Sequence, residues 1–344
     1  MISLFQGQEV GIDNPLLWWM FADREGFLID PDSFSYSIKR DTGSALEAVV
    51  SETVLDLETA QLGVGRYAIP WEVPADVIDP DDEDVTPYDT GLFRLEGVWV
   101  VDGVTKRAFY EFEVLAIDRG LSSGHYCLLH DLRAEDITVS LLSAARAAKL
   151  IEGASRFIDA STGRQFEAVF ADVDVDTRGG GFIHFSDALV AVESVSSEVL
   201  SLGQSSVMDL DLTEAKVYAR HLSQGLRNPD DRWDAKIHIG GKMPRAQQKV
   251  TVKAVVGFTE PDKTSFGKCP EEIRRTCVRL VAREMDMIGL GDTSAQKGAF
   301  VLAESTSKQS VTFDARVVSN GPTGDRVIDD ALGRYHRASD IGGA

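Results

Sequence analysis

The chain has 344 residues, 43% hydrophobic and 26% charged, a balance that belongs to globular proteins and excludes a fibrous or wholly disordered chain. Its 55 acids against 35 bases leave a formal net charge of −20. That surplus repels duplex DNA, which carries a charge every ~1.7 Å of axis, and argues against a dedicated DNA-gripping surface. The length exceeds one ordinary core, so two or three domains are expected.

Cys127, Cys269 and Cys277 are the three cysteines and form no CxxC pair. A disulfide framework is therefore not expected, and a reducing compartment fits. The apolar run from Leu16 to Ala22 is far shorter than the ~20 residues that span a bilayer. Glu9 and Asp13 precede it, unlike the basic start of a secretory signal, so a chain made in the cytoplasm with no membrane partner is expected.

Residues 28–115 alternate apolar and polar: Phe34, Tyr36 and Ile38, then Tyr67, Ile69 and Trp71, then Ala108, Tyr110, Phe112 and Val114. With turn signals such as Asp102-Gly103 between them, these strands predict an antiparallel, immunoglobulin-like sandwich over residues 1–117. Trp18 and Trp19 are adjacent and point to opposite faces of a strand, so one must be covered from outside the sandwich core, by a second domain or by a partner. Both are candidates for a subunit interface.

Residues 118–133, rich in Gly and Ser, read as a linker. Beyond it, Ala147, Leu150, Ile151, Ala154, Phe157 and Ile158 recur at helical spacing and predict a helix over 134–159, closed by Gly163. Strand patterns return over 166–258 as a β-rich insert, and a second helix is predicted over 270–288. That helix carries Ile273, Cys277, Leu280, Val281 and Glu284 on one side and Arg275, Arg279 and Arg283, four residues apart, on the other. In an acidic protein this arginine row is a candidate for meeting acids on an adjacent subunit.

Motifs for chemistry fail on inspection. Asp172, Asp174 and Asp176 resemble half a calcium loop, but Thr177 replaces the turn glycine and Ile183 the bidentate glutamate. IHIGGKMPR lacks the P-loop pattern, and GVGRYA leads into a strand. The six histidines show no metal-ligand spacing. The expectation is a protein that is not an enzyme and needs no metal or cofactor. The acidic run at 76–89 reads as a solvated loop or a charged face toward a partner.

In order along the chain stand YCLLHDLRAEDI, LLSAARAAKLIEGASRFIDASTGRQF, LRNPDDRW, VTVKAVVGF, CPEEIRRTCVRLVAREM and GDRVIDDALGRYHR. This series, over about 126–338, resembles the phage head-tail connector (adaptor) family. The resemblance implies an α+β protein whose residues 134–344 form a helical adaptor domain behind the sandwich. It implies a closed homo-oligomeric ring of about twelve copies, seated between the portal and a tail or neck protein in the virion, with DNA as a passing guest. The C-terminal arm, 310–344, is the candidate portal-docking element, with Asp325, Arg326, Tyr335 and Arg337 as its candidate contacts. The competing expectation is a tail or surface module whose sandwich recognises a host glycan or protein.

Overall fold

The structure is a computed structural model that describes residues 2–23, 25–74, 90–115, 124–138, 141–176, 180–185, 188–201, 204–210, 215–218, 236–243, 249–260, 262, 264–287, 303–305, 310–312 and 322–336. The acidic run at 76–89 and Arg337 lie outside them.

The N-terminal part contains β1 (Ser3–Phe5), β2 (Glu9–Val10), β3 (Trp18–Met20), β4 (Ser33–Asp41), β5 (Leu46–Val54), α1 (Leu57–Ala60), β6 (Gln61–Gly63), β7 (Arg66–Ala68), β8 (Trp71–Glu72), β9 (Thr90–Val101) and β10 (Val104–Leu115). One sheet runs β1-β10-β9-β4-β5, faced by β3-β7-β6 and the pair β2-β8. β1 joins β10 in parallel, and the other pairs of the large sheet are antiparallel. β9 and β10 meet at Asp102-Gly103, both with positive φ (51° and 71°), the two-residue turn whose twist matches the strands it joins.

Alternation along β4 and β9 sends Phe34, Tyr36, Ile38, Phe93, Leu95 and Trp99 into one core with Trp19, Phe21 and Phe112. Gly97 sits where the Trp19 and Phe34 rings press on β9, and a Cβ there would lie 2.8 Å from both.

The remainder comprises α2 (Leu129–Ala134), α3 (Ala144–Thr162), β11 (Val169–Asp176), β12 (Gly180–His184), β13 (Leu189–Ser201), β14 (Gln204–Asp209), β15 (Lys216–Tyr218), β16 (Lys236–Met243), β17 (Lys249–Val256), α4 (Glu271–Met287), β18 (Ala303–Ser305), β19 (Ser310–Thr312) and α5 (Arg326–Tyr335). β11-β17-β13-β14 and β12-β16-β15 form two further sheets, which share a core of Ile183, Leu189, Val195, Ile237, Val250 and Val252.

These elements overturn the expected α+β class with a helical adaptor domain. The chain is mostly β, with 19 strands and five helices among the described residues. Within 134–344 alone, the described residues hold nine strands against three helices. The physical reason lies in how little the helices must cover. The stripes of α3, α4 and α5 close on one another around Phe166, Tyr126 and Leu115, while the segment read as an insert builds sheets with their own core. The helix expected over 134–159 begins only at Ala144: α2 ends at Ala134, Asp136 takes a positive φ of 60° beyond it, and α3 ends on Gly163 in the left-handed conformation.

Contacts of several kinds join the two parts. Leu28 N donates to Val192 O at 2.7 Å and Val192 N to Gly26 O at 2.9 Å, which ties the segment after β3 to β13. Arg66 of β7 pairs with Glu193 at 2.9 Å. Phe266, from the loop between β17 and α4, packs its ring within 5.4 Å of Trp18, 6.0 Å of Trp19 and 5.4 Å of Tyr110.

Candidate assembly surface

Trp19 is fully buried among Phe34, Trp99, Tyr110 and Phe266 of its own chain. Trp18, half-buried on the opposite face of β3, packs against a cluster of Met20, Leu28, Val190, Ala191 and Val255. The expectation that one tryptophan needs covering from outside the sandwich is met by the chain's own second part.

α4 opens with Glu271 and Glu272, favourable charges for the positive end of a helix, and buries Ile273, Cys277, Leu280 and Val281. Glu284, expected on that buried side, is exposed. Arg275 and Arg279 are exposed and Arg283 is half-buried. Arg275 pairs with Glu271 at 3.0 Å across one turn of its own helix. Arg279 has no ion pair among the described residues, and its neighbours one turn away on either side are the two other arginines. Like charges at that spacing cost a helix about 0.2–0.5 kcal/mol per pair.

α5 is fastened to this bundle. Asp325 caps it, accepting from Val327 N at 2.8 Å and Ile328 N at 3.4 Å, the usual remedy for unpaired amides at a helix start. Arg326 is exposed and pairs with Asp330 at 3.5 Å. Tyr335 is a core residue, its ring edge-on to Phe166 at 5.3 Å, and burial pushes its phenol up. Arg334 reaches Glu272 of α4 at 2.7 Å, and His336 Nδ1 meets Ser161 O of α3 at 2.8 Å. Sequence candidates in this arm are thus divided among a cap, a surface pair and a core ring.

Behind the bundle lies a polar knot that no spacing in the sequence reveals. Glu113 of β10 is completely buried and accepts from Ser3 Oγ at 2.5 Å, Thr90 Oγ1 at 3.0 Å and His130 N at 3.0 Å. Ser3 Oγ also lies 3.0 Å from His125 Nε2. Burial pushes the Glu113 carboxyl up, against the hydrogen bonds that pull it down. Although a serine, a histidine and a glutamate meet here, the carboxylate and the imidazole both contact the serine hydroxyl. A hydrolytic relay instead needs the acid on the far nitrogen of the ring. All three side chains are shut off from solvent, so the arrangement holds strands β1, β9 and β10 to α2. Its sequence signal is hidden because Glu113 sits on the face of β10 that is polar elsewhere, as at Glu111.

At the other edge of the large sheet, β5 pairs with β4 alone among the described strands. Seven of its nine residues are exposed. Beside its end a groove of about 190 Å³ is lined by Ile12, Tyr36, Val54, Leu55, Ala60 and Pro70. Glu47 and Glu52 of β5, Asp56 capping α1 and Glu58 within it line this edge, all exposed, and residues 44–60 contain no Lys or Arg.

No group of His, Cys, Asp and Glu side chains among the described residues converges to hold a metal ion. Asp174, from the half calcium loop, instead accepts from Thr251 Oγ1 at 2.8 Å across the sheet. None of the helices in the described residues is long and apolar enough to cross a membrane. Compared with models of known protein families and with curated proteins, the chain matches none.

Proposed function

We propose that this chain is a non-enzymatic virion assembly protein, a head-to-tail adaptor whose copies close into a ring between portal and tail. The ordered run of adaptor-like segments over 126–338 supports the reading. The observation that carries it is Arg275 and Arg279, exposed one turn apart on α4 with Arg283 half-buried in the next turn, on a chain of net charge −20. Arg279, flanked by arginines one turn away on both sides, is disfavoured on its own helix, and acids on a neighbouring subunit would reverse that sign. The ring would take portal and tail or neck proteins as partners and let DNA pass without gripping it, in the virion neck after assembly in the host cytoplasm. No cofactor enters this role.

The test is disruption of the gene in its phage followed by imaging of the lysate. Filled or leaking heads without tails are the expected result, and normal virions would refute the role. Purified protein imaged alone should show rings, and a portal should be retained on them.

A further inference from the structure

We propose that the free edge formed by β5, α1 and the adjoining groove is the seat for the α4 arginine row of a second copy, in a head-to-tail contact. This rests on the adaptor reading and names the surface that the arginines meet. Three observations carry it. The edge is open, since β5 leaves one side of its backbone without a strand partner among the described residues, and such edges are seldom left bare. Its chemistry is acidic on balance, with Glu47, Glu52, Asp56 and Glu58 exposed on it and no base from residue 44 to 60; the bases of the paired strand, Lys39 and Arg40, are half-buried, and Lys39 is already paired with Glu96. The groove beside it is apolar enough, through Ile12 and Val54, which are 48% and 76% exposed, to take the methylene stems of arginines whose heads reach the acids.

Position completes the case. Phe5 of β1 and Leu115 of β10 pack into the helical bundle, so the bundle abuts one edge of the five-stranded sheet and the acidic seat is its opposite edge. Four strand spacings of ~4.8 Å separate those edges, about 19 Å. The helical bundle that carries the arginine row and the acidic seat therefore adjoin opposite edges of that sheet. A contact between unlike surfaces on two copies repeats from copy to copy and closes into a ring when its rotation permits. Two copies meeting through β5 alone would instead set acid against acid.

A charge exchange tests this. In native mass spectrometry of the full chain, the wild type should give a closed oligomer. Glu47→Lys/Glu52→Lys/Glu58→Lys, which spares the Asp56 cap, and Arg275→Glu/Arg279→Glu should each give monomers. An equimolar mixture of the two variants should regain the oligomer with copies alternating, which also establishes that both are folded. If the wild type assembles and either variant alone keeps the wild-type mass, the proposed contact is wrong and the adaptor reading stands. Two monomeric variants whose mixture stays monomeric also overturn it. A wild-type chain that remains monomeric removes both.

Discussion

The guanidinium of Arg66 lies 3.4 Å above the centre of the Phe170 ring while its Nη2 reaches Glu193 Oε2 at 2.9 Å. One side chain from β7 thereby grips both β11 and β13. Its charges are only 13% and 15% exposed, so this clasp is screened far less by salt than a surface pair.

Cutting the clasp strands a charge in a half-dry site. We expect Arg66→Ala to cost about 1–3 kcal/mol, below the 3–5 typical of a fully buried pair. Because Arg66 also covers Phe170, Glu193→Gln should cost less than Arg66→Ala. Denaturant titrations of the two single variants and the double variant measure the coupling, and independent, additive losses would show that the contact is not felt.

Phe266→Ala removes the ring that touches Trp18, Trp19 and Tyr110. Fully buried phenylalanines lose about 3–5 kcal/mol on truncation, and half-burial brings the expected loss to roughly 2–3 kcal/mol. Calorimetry should show the sandwich and the following sheets still melting together at a lower temperature. An unchanged melting temperature would contradict the packing described.

Gly257 has φ of 149°, and a Cβ there would stand 2.2 Å from Glu167 O. Backbone cannot yield as a flexible side chain can. Gly257→Ala should destabilise the chain by roughly 2–3 kcal/mol in chemical denaturation, whereas Gly153→Ala, where nothing lies within 4 Å, should be neutral or stabilising by about 0.5–1 kcal/mol because it lies in helix α3.

Glu113 gives a pH dependence of definite sign. Its carboxyl titrates higher in the folded chain than in the unfolded one, so the folded state prefers the protonated form. The associated stability is present below the ordinary carboxylate range and is lost as pH rises through the folded value. Glu113→Gln removes that loss, and its melting temperature should exceed the wild type's most at pH 8. The gap should shrink as pH falls toward 4. A gap that widens on acidification would contradict the burial argument.

Cys127 and Cys277 lie 3.3 Å apart, sulfur to sulfur, in the bundle core. The hydrogen bond to Cys277, followed by burial, pushes the Cys127 thiol well up, and burial does the same for Cys269. Thiolates are the reactive form. A thiol reagent should therefore find no rapidly reacting group in the native chain and three in guanidinium.

Period carried much of the local structure. Phe34, Tyr36 and Ile38 were legible as one buried face from alternation alone, and the turn at Asp102-Gly103 and the stop at Gly163 follow from backbone freedom that glycine and aspartate possess. What period cannot encode is which surface covers which. Phe266 belongs to no regular element and looks like any loop aromatic, yet it completes an aromatic core more than 150 residues upstream, at Trp18, Trp19 and Tyr110. The fold class was misread for a related reason. Helical stripes over 144–162 and 271–287 are conspicuous in the sequence, while short strands such as β12 and β15 announce themselves weakly and add up only when paired. At the candidate site the arginine row was readable from its spacing. The acidic seat was not, because its character depends on β5 being an edge, which is a property of the whole sheet.

Phe266 has a consequence for how such chains can be recombined. A gene fusion that exchanged the N-terminal sandwich for another at the linker would leave this phenylalanine without its socket and the displaced sandwich with a gap beside Tyr110. Sandwich and loop must therefore travel, or change, together, and an inherited substitution at Trp18 or Tyr110 should be accompanied by a compensating one at position 266.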